Sequence, residues 1–137
     1  MQVNWVQLGG KFGKKSLAKA GDTTVTVPAS HRYVVVLGGG KYVADATVIT
    51  RTFTVYCDSG AGSVEIWLAY LSSITASQTK RIALGRGAST GIDLYAELPS
   101  MGLILPAGYR ALVGIGNGQA GDTWELDLYY ADLVVGA

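Results

Sequence analysis

The sequence has few of the residues that usually carry chemistry, with 1 cysteine, 1 histidine and 3 prolines among 137 residues. A single cysteine excludes an intrachain disulfide and a thiolate cluster that could bind zinc or an iron–sulfur centre. A serine hydrolase would need an acid to orient His31, and the adjacent Ser30 would point away from it on a strand. We therefore expect no enzyme, no cofactor and no metal site.

Long hydrophobic runs and an excess of one charge are also absent. The chain has 11 Lys and Arg against 10 Asp and Glu, for a net charge of +1. Its overall charge is therefore too small to attract nucleic acid or an acidic membrane electrostatically. No stretch approaches the roughly 18 apolar residues of a membrane span. Apolar residues precede the first lysines, which is the reverse of a secretory signal. We expect neither a membrane nor direct nucleic-acid binding.

The chain is rich in glycine, at 19 residues, and in threonine, valine and tyrosine, a composition typical of short strands and tight turns. Its length fits one domain. Alternation of polar and apolar residues predicts eight or nine strands and no helix. These include 23–27, 32–37, 42–57, 63–71, 80–84, 91–98 and 101–105, followed by a closing hairpin that ends at 123–133.

Turn signals predict how these strands connect. The run of glycines at 38–40 is expected to end a strand. The turn at 58–62 predicts an antiparallel hairpin, and the glycine-rich loop at 114–122 predicts the closing one. In the last strand Trp124 should face the core and Glu125 the solvent. Together these features favour an antiparallel β-sandwich.

Residues 1–21 show neither a strand period nor a helix period, which predicts an extended N-terminal arm before a single β-sandwich domain at 22–137. The arm is apolar and basic, with no acidic residue before Asp22. Such residues suit docking onto a partner, although a loose terminus with solvated lysines is the alternative. The predicted partner-binding residues are Trp5, Leu8, Lys11, Phe12, Lys14, Lys15 and Lys19.

Several isolated residues leave a second interpretation open. Cys57 is expected to be a small buried residue rather than a nucleophile. Asp58 and Asp122 lie in glycine-rich loops where calcium could bind, but capping of their own turns is the favoured interpretation. Tyrosines that prove exposed could stack on sugars, which leaves carbohydrate binding open; the candidates are Tyr95, Tyr129 and Tyr130.

The segment Leu103-Ile-Leu-Pro-Ala-Gly-Tyr-Arg-Ala-Leu-Val113, with the loop and strand that follow, resembles the ending of small structural proteins of tailed bacteriophages. The resemblance covers about the last 35 residues. It implies a jelly roll of about eight strands on the capsid surface of the virion, made in the host cytoplasm. The implied role is a cement or decoration protein that stabilises the shell of the major capsid protein.

Copies of the chain itself, as a homodimer or homotrimer, are the other expected partner. The alternative in the same setting is a tail or baseplate component with a carbohydrate-binding, adhesin role, since fold does not fix function. A small hydrolase that uses His31 is a distant alternative.

Overall fold

The computed structural model describes residues 11–62, 64–85 and 91–135. In this part of the chain the protein is all-β, with ten strands and no helix, and therefore no helix that could cross a membrane. The strands form two sheets, so the predicted β-sandwich is confirmed. In chain order the strands are β1 (Lys11–Ala18), β2 (Thr24–Thr26), β3 (His31–Val43), β4 (Arg51–Asp58), β5 (Val64–Ile74), β6 (Thr79–Gly85), β7 (Leu94–Glu97), β8 (Leu103–Leu105), β9 (Arg110–Gly116) and β10 (Thr123–Val134).

The larger sheet has six strands, in the order β1-β10-β3-β6-β7, and β8 pairs with the first half of β3. The smaller sheet has four strands, in the order β2-β9-β4-β5. All neighbours run antiparallel except β6 and β7, which run parallel. The predicted hairpin between β4 and β5 is confirmed.

The pairing of the strands is nested, because β1 pairs with β10, β2 with β9, β3 with β6 and β4 with β5. Rolling up one long antiparallel ribbon produces such nesting. It places β9 between β2 and β4 in the smaller sheet, and β10 between β1 and β3 in the larger. The predicted closing hairpin is therefore wrong, since β9 and β10 lie in different sheets and residues 117–122 cross between them.

The first strand lies within the segment predicted to be an arm. Lys11–Ala18 pairs along its whole length with β10, so the sandwich includes these residues of the segment predicted to be an arm. The sequence does not show the alternation typical of a strand here, because Lys15 and Gly13 lie on the same inward side as the buried Leu17. A Cβ at position 13 would lie 2.8 Å from the Tyr130 ring, so a larger residue there would require this ring to shift. Residues 1–10 lie outside the described residues.

The glycines at 38–40 lie inside β3 and do not end it, because the strand continues to Val43. A Cβ on Gly40 would lie 2.0 Å from the carbonyl oxygen of Glu125 on β10. Gly38 and Gly40 therefore allow a close approach of β3 to β10, rather than a turn. The predicted strand at 42–57 is in fact two strands, the end of β3 and all of β4, separated by residues 44–50.

The core fills the space between the sheets. The Phe53 ring of the smaller sheet packs edge-on against Tyr42 and Trp124 of the larger, with centroids 6.0 and 5.9 Å apart. The alternation predicted for β10 is confirmed, with Trp124 turned inward and Glu125 exposed. Cys57 is fully buried, as predicted, and this burial raises the pKa of its thiol to about 12 because the thiolate loses hydration.

Candidate functional site

The predicted partner-binding residues do not form one group. Trp5 and Leu8 lie outside the described residues. Lys11, Phe12 and Lys14 are exposed on β1, which is an edge strand of the larger sheet. These three side chains are placed where a partner could reach them.

Lys15 and Lys19 instead make contacts within the chain. Lys15 forms an ion pair with Asp22, and its hydrogen bond lowers the pKa of that carboxyl. The Lys19 ammonium donates to three carbonyl oxygens of the 117–122 loop, at 2.7, 2.9 and 2.8 Å. Both ammonium groups therefore have partners within the chain, and the docking role of Lys15 and Lys19 stays a prediction.

Phe12 belongs to an apolar row on the outer side of the larger sheet. The strand register places Phe12, Ala131, Val34 and Ile104 side by side across β1, β10, β3 and β8. Phe12 and Ile104 are 61% and 53% exposed. Ala131 and Val34 lie between them and are buried, but they are not part of the core between the sheets. Their side chains therefore point to the outer side of the sheet, where neighbouring side chains cover them. The row spans about 14 Å, or three strand spacings.

The neighbouring row extends this apolar surface. It holds Lys14, Tyr129 and Leu37 on β1, β10 and β3, and both Tyr129 and Leu37 are exposed. We call the exposed side chains of Phe12, Leu37, Ile104 and Tyr129 the Phe12 face. Contiguous exposed apolar surface of this kind usually marks a site of interaction.

The smaller sheet exposes a second apolar group, at its β5 edge. Trp67 and Tyr70 are 63% and 57% exposed, and Tyr56 on β4 lies 5.7 Å from the Trp67 ring. Of the tyrosines named as sugar-stacking candidates, Tyr129 is on the opposite sheet. Sequence reasoning missed Trp67 and Tyr70, because irregular register in β5 breaks the alternation that would reveal their direction.

A buried ionic cluster holds the loop that crosses between the sheets; we call it the Arg51–Asp122 latch. The Asp122 carboxylate accepts hydrogen bonds from Arg51 Nε at 2.9 Å and Nη2 at 3.1 Å. It also accepts from the Tyr42 hydroxyl at 2.5 Å and from the amides of Asp45 and Gln119. Arg51 and Asp122 are 0% and 2% exposed. These bonds explain why residues 117–122 turn inward instead of closing a hairpin.

The charge states of the latch follow from these contacts. Burial alone would raise the pKa of Asp122, but hydrogen bonds from Arg51 and Tyr42 outweigh it and hold the pKa well below its usual range. Burial and the bond to Asp122 raise the pKa of Tyr42. Asp122 is therefore a carboxylate, and Tyr42 a neutral phenol, at any ordinary pH.

The two aspartates considered for calcium both use their carboxylates within the chain. Asp58 accepts from Arg110 Nε and Nη2 at 2.8 and 2.6 Å and from the Gly60 amide at 2.9 Å, the last bond being the expected turn cap. Asp122 belongs to the latch. Among the described residues, no group of three or more His, Cys, Asp or Glu could hold a metal ion.

His31 has an acidic partner that the sequence did not reveal. Its Nδ1 lies 2.6 Å from Asp132 Oδ1 on the neighbouring strand β10. No hydrogen bond joins Ser30 to His31 within the described part of the chain, and Ser30 adopts a left-handed backbone conformation with φ 63°. Asp132 therefore orients the imidazole of His31, but the Ser30 hydroxyl is not hydrogen-bonded to that imidazole.

No protein-family model matches this sequence, and no curated protein matches it.

Proposed function

We propose that the chain is a non-enzymatic structural protein of a tailed-bacteriophage virion. On this proposal it is a cement or decoration protein that binds the shell of the major capsid protein. The Phe12 face carries the proposal. It exposes an aromatic and two aliphatic side chains beside Tyr129 on one side of the sandwich. Burying these side chains against a partner would contribute about 25 cal/mol of binding free energy per Å² of apolar surface.

The proposal includes a jelly-roll topology, as the resemblance of residues 103–113 implies. The nested pairing supports it: the four-strand series β1-β10-β3-β6 and β2-β9-β4-β5 have the order expected of two interlocked Greek keys. The parallel strand β7 and the short strand β8 are then additions to one sheet.

Docking would combine an apolar centre with a basic rim. Phe12 is the natural anchor, because aromatic side chains dominate the energetics of interfaces. Lys14 is exposed on the same side of β1 as Phe12, and Lys11 is exposed at the start of the strand. Both would face acidic groups of the shell, where charges mainly set orientation and association rate. Many copies on one lattice then add modest interfaces into strong binding. Self-association as a homodimer or homotrimer remains part of the proposal.

Counting copies of the chain in purified virions tests the proposed class. Quantitative mass spectrometry of gradient-banded particles should find it in numbers comparable to those of the major capsid protein. A few copies per particle would favour the tail or baseplate alternative instead. Complete absence from particles would overturn the virion proposal.

The docking surface is tested with shells that lack the protein. Replacing Phe12 with serine should weaken binding by about 30-fold, the equivalent of about 2 kcal/mol for an interface hot spot. Lys14→Glu should weaken binding mainly at low salt. Trp67→Ser, an equally exposed aromatic on the opposite sheet, is the matched control. Equal loss with Phe12→Ser and Trp67→Ser would contradict the assignment of this surface.

A further inference from the structure

A bulge in β5 determines which way its aromatic side chains point. Trp67 pairs with Tyr56, Ala69 with Val55 and Tyr70 with Thr54, so one residue is inserted between Trp67 and Ala69. Residues three apart on a regular strand point to opposite faces, but this insertion puts Trp67 and Tyr70 on the same outer face. Bulges that redirect side chains are typical of functional surfaces.

The outer face around these rings is an aromatic platform. The Trp67 and Tyr56 rings are tilted by 42° at a centroid distance of 5.7 Å. Tyr56 lies across Gly114 of β9, since a Cβ on that glycine would be 3.2 Å from its ring. The side of Tyr70 next to β4 is lined by Thr54, the small residue paired with it. Trp67 and Tyr70 therefore remain open to solvent, whereas Tyr56 is partly covered.

A polar group adjoins the platform one step along β4. Asp58 and Arg110 are cross-strand partners, and their pair lies two residues from Tyr56, or about 7 Å along the strand. Arg110 uses Nε and Nη2 for Asp58, while its Nη1 donates no hydrogen bond within the described residues. Its side chain is partly exposed, so this nitrogen can donate to a ligand hydroxyl.

The size and charge of this surface decide between classes of ligand. Trp67 and Tyr70 expose about 180–300 Å², if an aromatic side chain presents about 150–250 Å². A standard protein interface buries about 800 Å² per partner in total, so these two rings alone would supply less than half of one. Arg110 is neutralised by Asp58, so the platform lacks the unpaired cations that would track a nucleic-acid backbone.

We propose that Trp67, Tyr70 and Tyr56 form a carbohydrate-binding site, with Arg110 as its hydrogen-bond donor. The ligand is an uncharged pyranose oligosaccharide. The C–H face of a pyranose ring is apolar and suits the electron-rich face of an aromatic ring, while its hydroxyls project sideways towards polar groups. This site does not depend on the shell-binding proposal, because it lies on the other sheet.

Titrating the full chain with tetrasaccharides of glucose, galactose, mannose and N-acetylglucosamine tests the site. Concentrations up to about 10 mM are needed, because short glycans often bind with millimolar affinity. We expect at least one glycan to shift the indole N–H signal of Trp67 in NMR spectra. Trp67→Ala should weaken that glycan at least tenfold, whereas Trp67→Phe should retain most of the binding.

Tyr129→Ala, a tyrosine exposed on the opposite sheet, is the control and should bind as the wild type does. Loss of binding in this control, or full binding by Trp67→Ala, would overturn the proposal. So would the absence of any shift of the Trp67 signal in the wild-type protein, a readout that does not require the variants to fold. Loss of shell binding in Trp67→Ala would instead identify a protein interface.

Discussion

Replacing Asp122 with alanine tests whether the Arg51–Asp122 latch holds the crossing loop in place. The Asp122 carboxylate accepts five hydrogen bonds, two from Arg51, one from Tyr42 and two from backbone amides. The change removes the carboxylate that pairs with the buried, positively charged guanidinium of Arg51. Removing one partner of a buried ion pair typically costs about 3–5 kcal/mol.

The lower end of this range, about 3 kcal/mol, applies here. Arg51 keeps Asp45 Oδ1 at 2.6 Å and the carbonyl oxygens of Thr47 and Ile49. A cavity of about 400 Å³ also adjoins Asp122, so water can enter and solvate the guanidinium. Unfolding entropy of about 2.1 cal/mol/K per residue gives about 0.29 kcal/mol/K for 137 residues. Tm should therefore fall by about 10 °C.

Thermal unfolding, followed by circular dichroism from pH 7 to pH 3, measures this effect. Because the folded-state pKa of Asp122 is depressed, its contribution is fully present above the unfolded pKa of about 3.9. It is lost as the pH falls from there towards the folded pKa. The difference in Tm between the wild type and Asp122→Ala should therefore narrow below about pH 4.

Asp127→Ala is the matched control, since Asp127 lies on the outer face of β10 and makes no hydrogen bond or ion pair with the described residues. Its Tm should stay close to that of the wild type. If the Tm of Asp122→Ala falls by less than about 3 °C, the loss of stability is under about 1 kcal/mol by the same unfolding entropy. The latch would then not be a major contribution to stability. A difference that does not change with pH would show that the carboxylate charge is not what stabilises the loop.

Two further predictions concern the glycines of β3 and the buried Cys57. Gly40→Ala should lower Tm or prevent folding, because its Cβ would lie 2.0 Å from the Glu125 carbonyl oxygen and overpacking costs about 1–3 kcal/mol or more. Gly39→Ala, whose nearest atom is 3.8 Å away, should instead raise Tm slightly in the same thermal scans, because alanine is favoured over glycine in a strand by about 0.5–1 kcal/mol. Cys57 should resist alkylation by iodoacetamide in the native protein and react fully in denaturant; fast labelling of the native state, followed by mass spectrometry, would contradict its burial.

The parts of the fold that the sequence predicted are local. The β4–β5 hairpin follows from adjacent strand patterns and a turn at 58–62, and the facing of β10 follows from strict alternation around Trp124. The partners of β9 and β10 lie far away along the chain, on β2, β4, β1 and β3. No local pattern encodes these pairings, so the glycine-rich loop at 114–122 looked like an ordinary hairpin turn.

The candidate surfaces were only partly predictable for related reasons. Phe12 could be identified as an exposed apolar residue near lysines, but its neighbours Leu37 and Ile104 become adjacent only through register across four strands. Trp67 and Tyr70 share a face only because of a bulge, which the sequence does not mark. Glycine at position 40 is ambiguous in sequence, because turns and close strand contacts select the same residue.

The sandwich separates the two proposed activities by geometry. The Phe12 face lies on the outer side of the larger sheet and Trp67 on the outer side of the smaller one, with the core between them. If the Phe12 face binds a capsid shell, the aromatic platform points away from the particle towards solvent. Shell binding and glycan binding can then occur together, because neither ligand covers the other's residues. Intact particles should therefore bind glycans many copies at a time, and this avidity would compensate for weak individual sites.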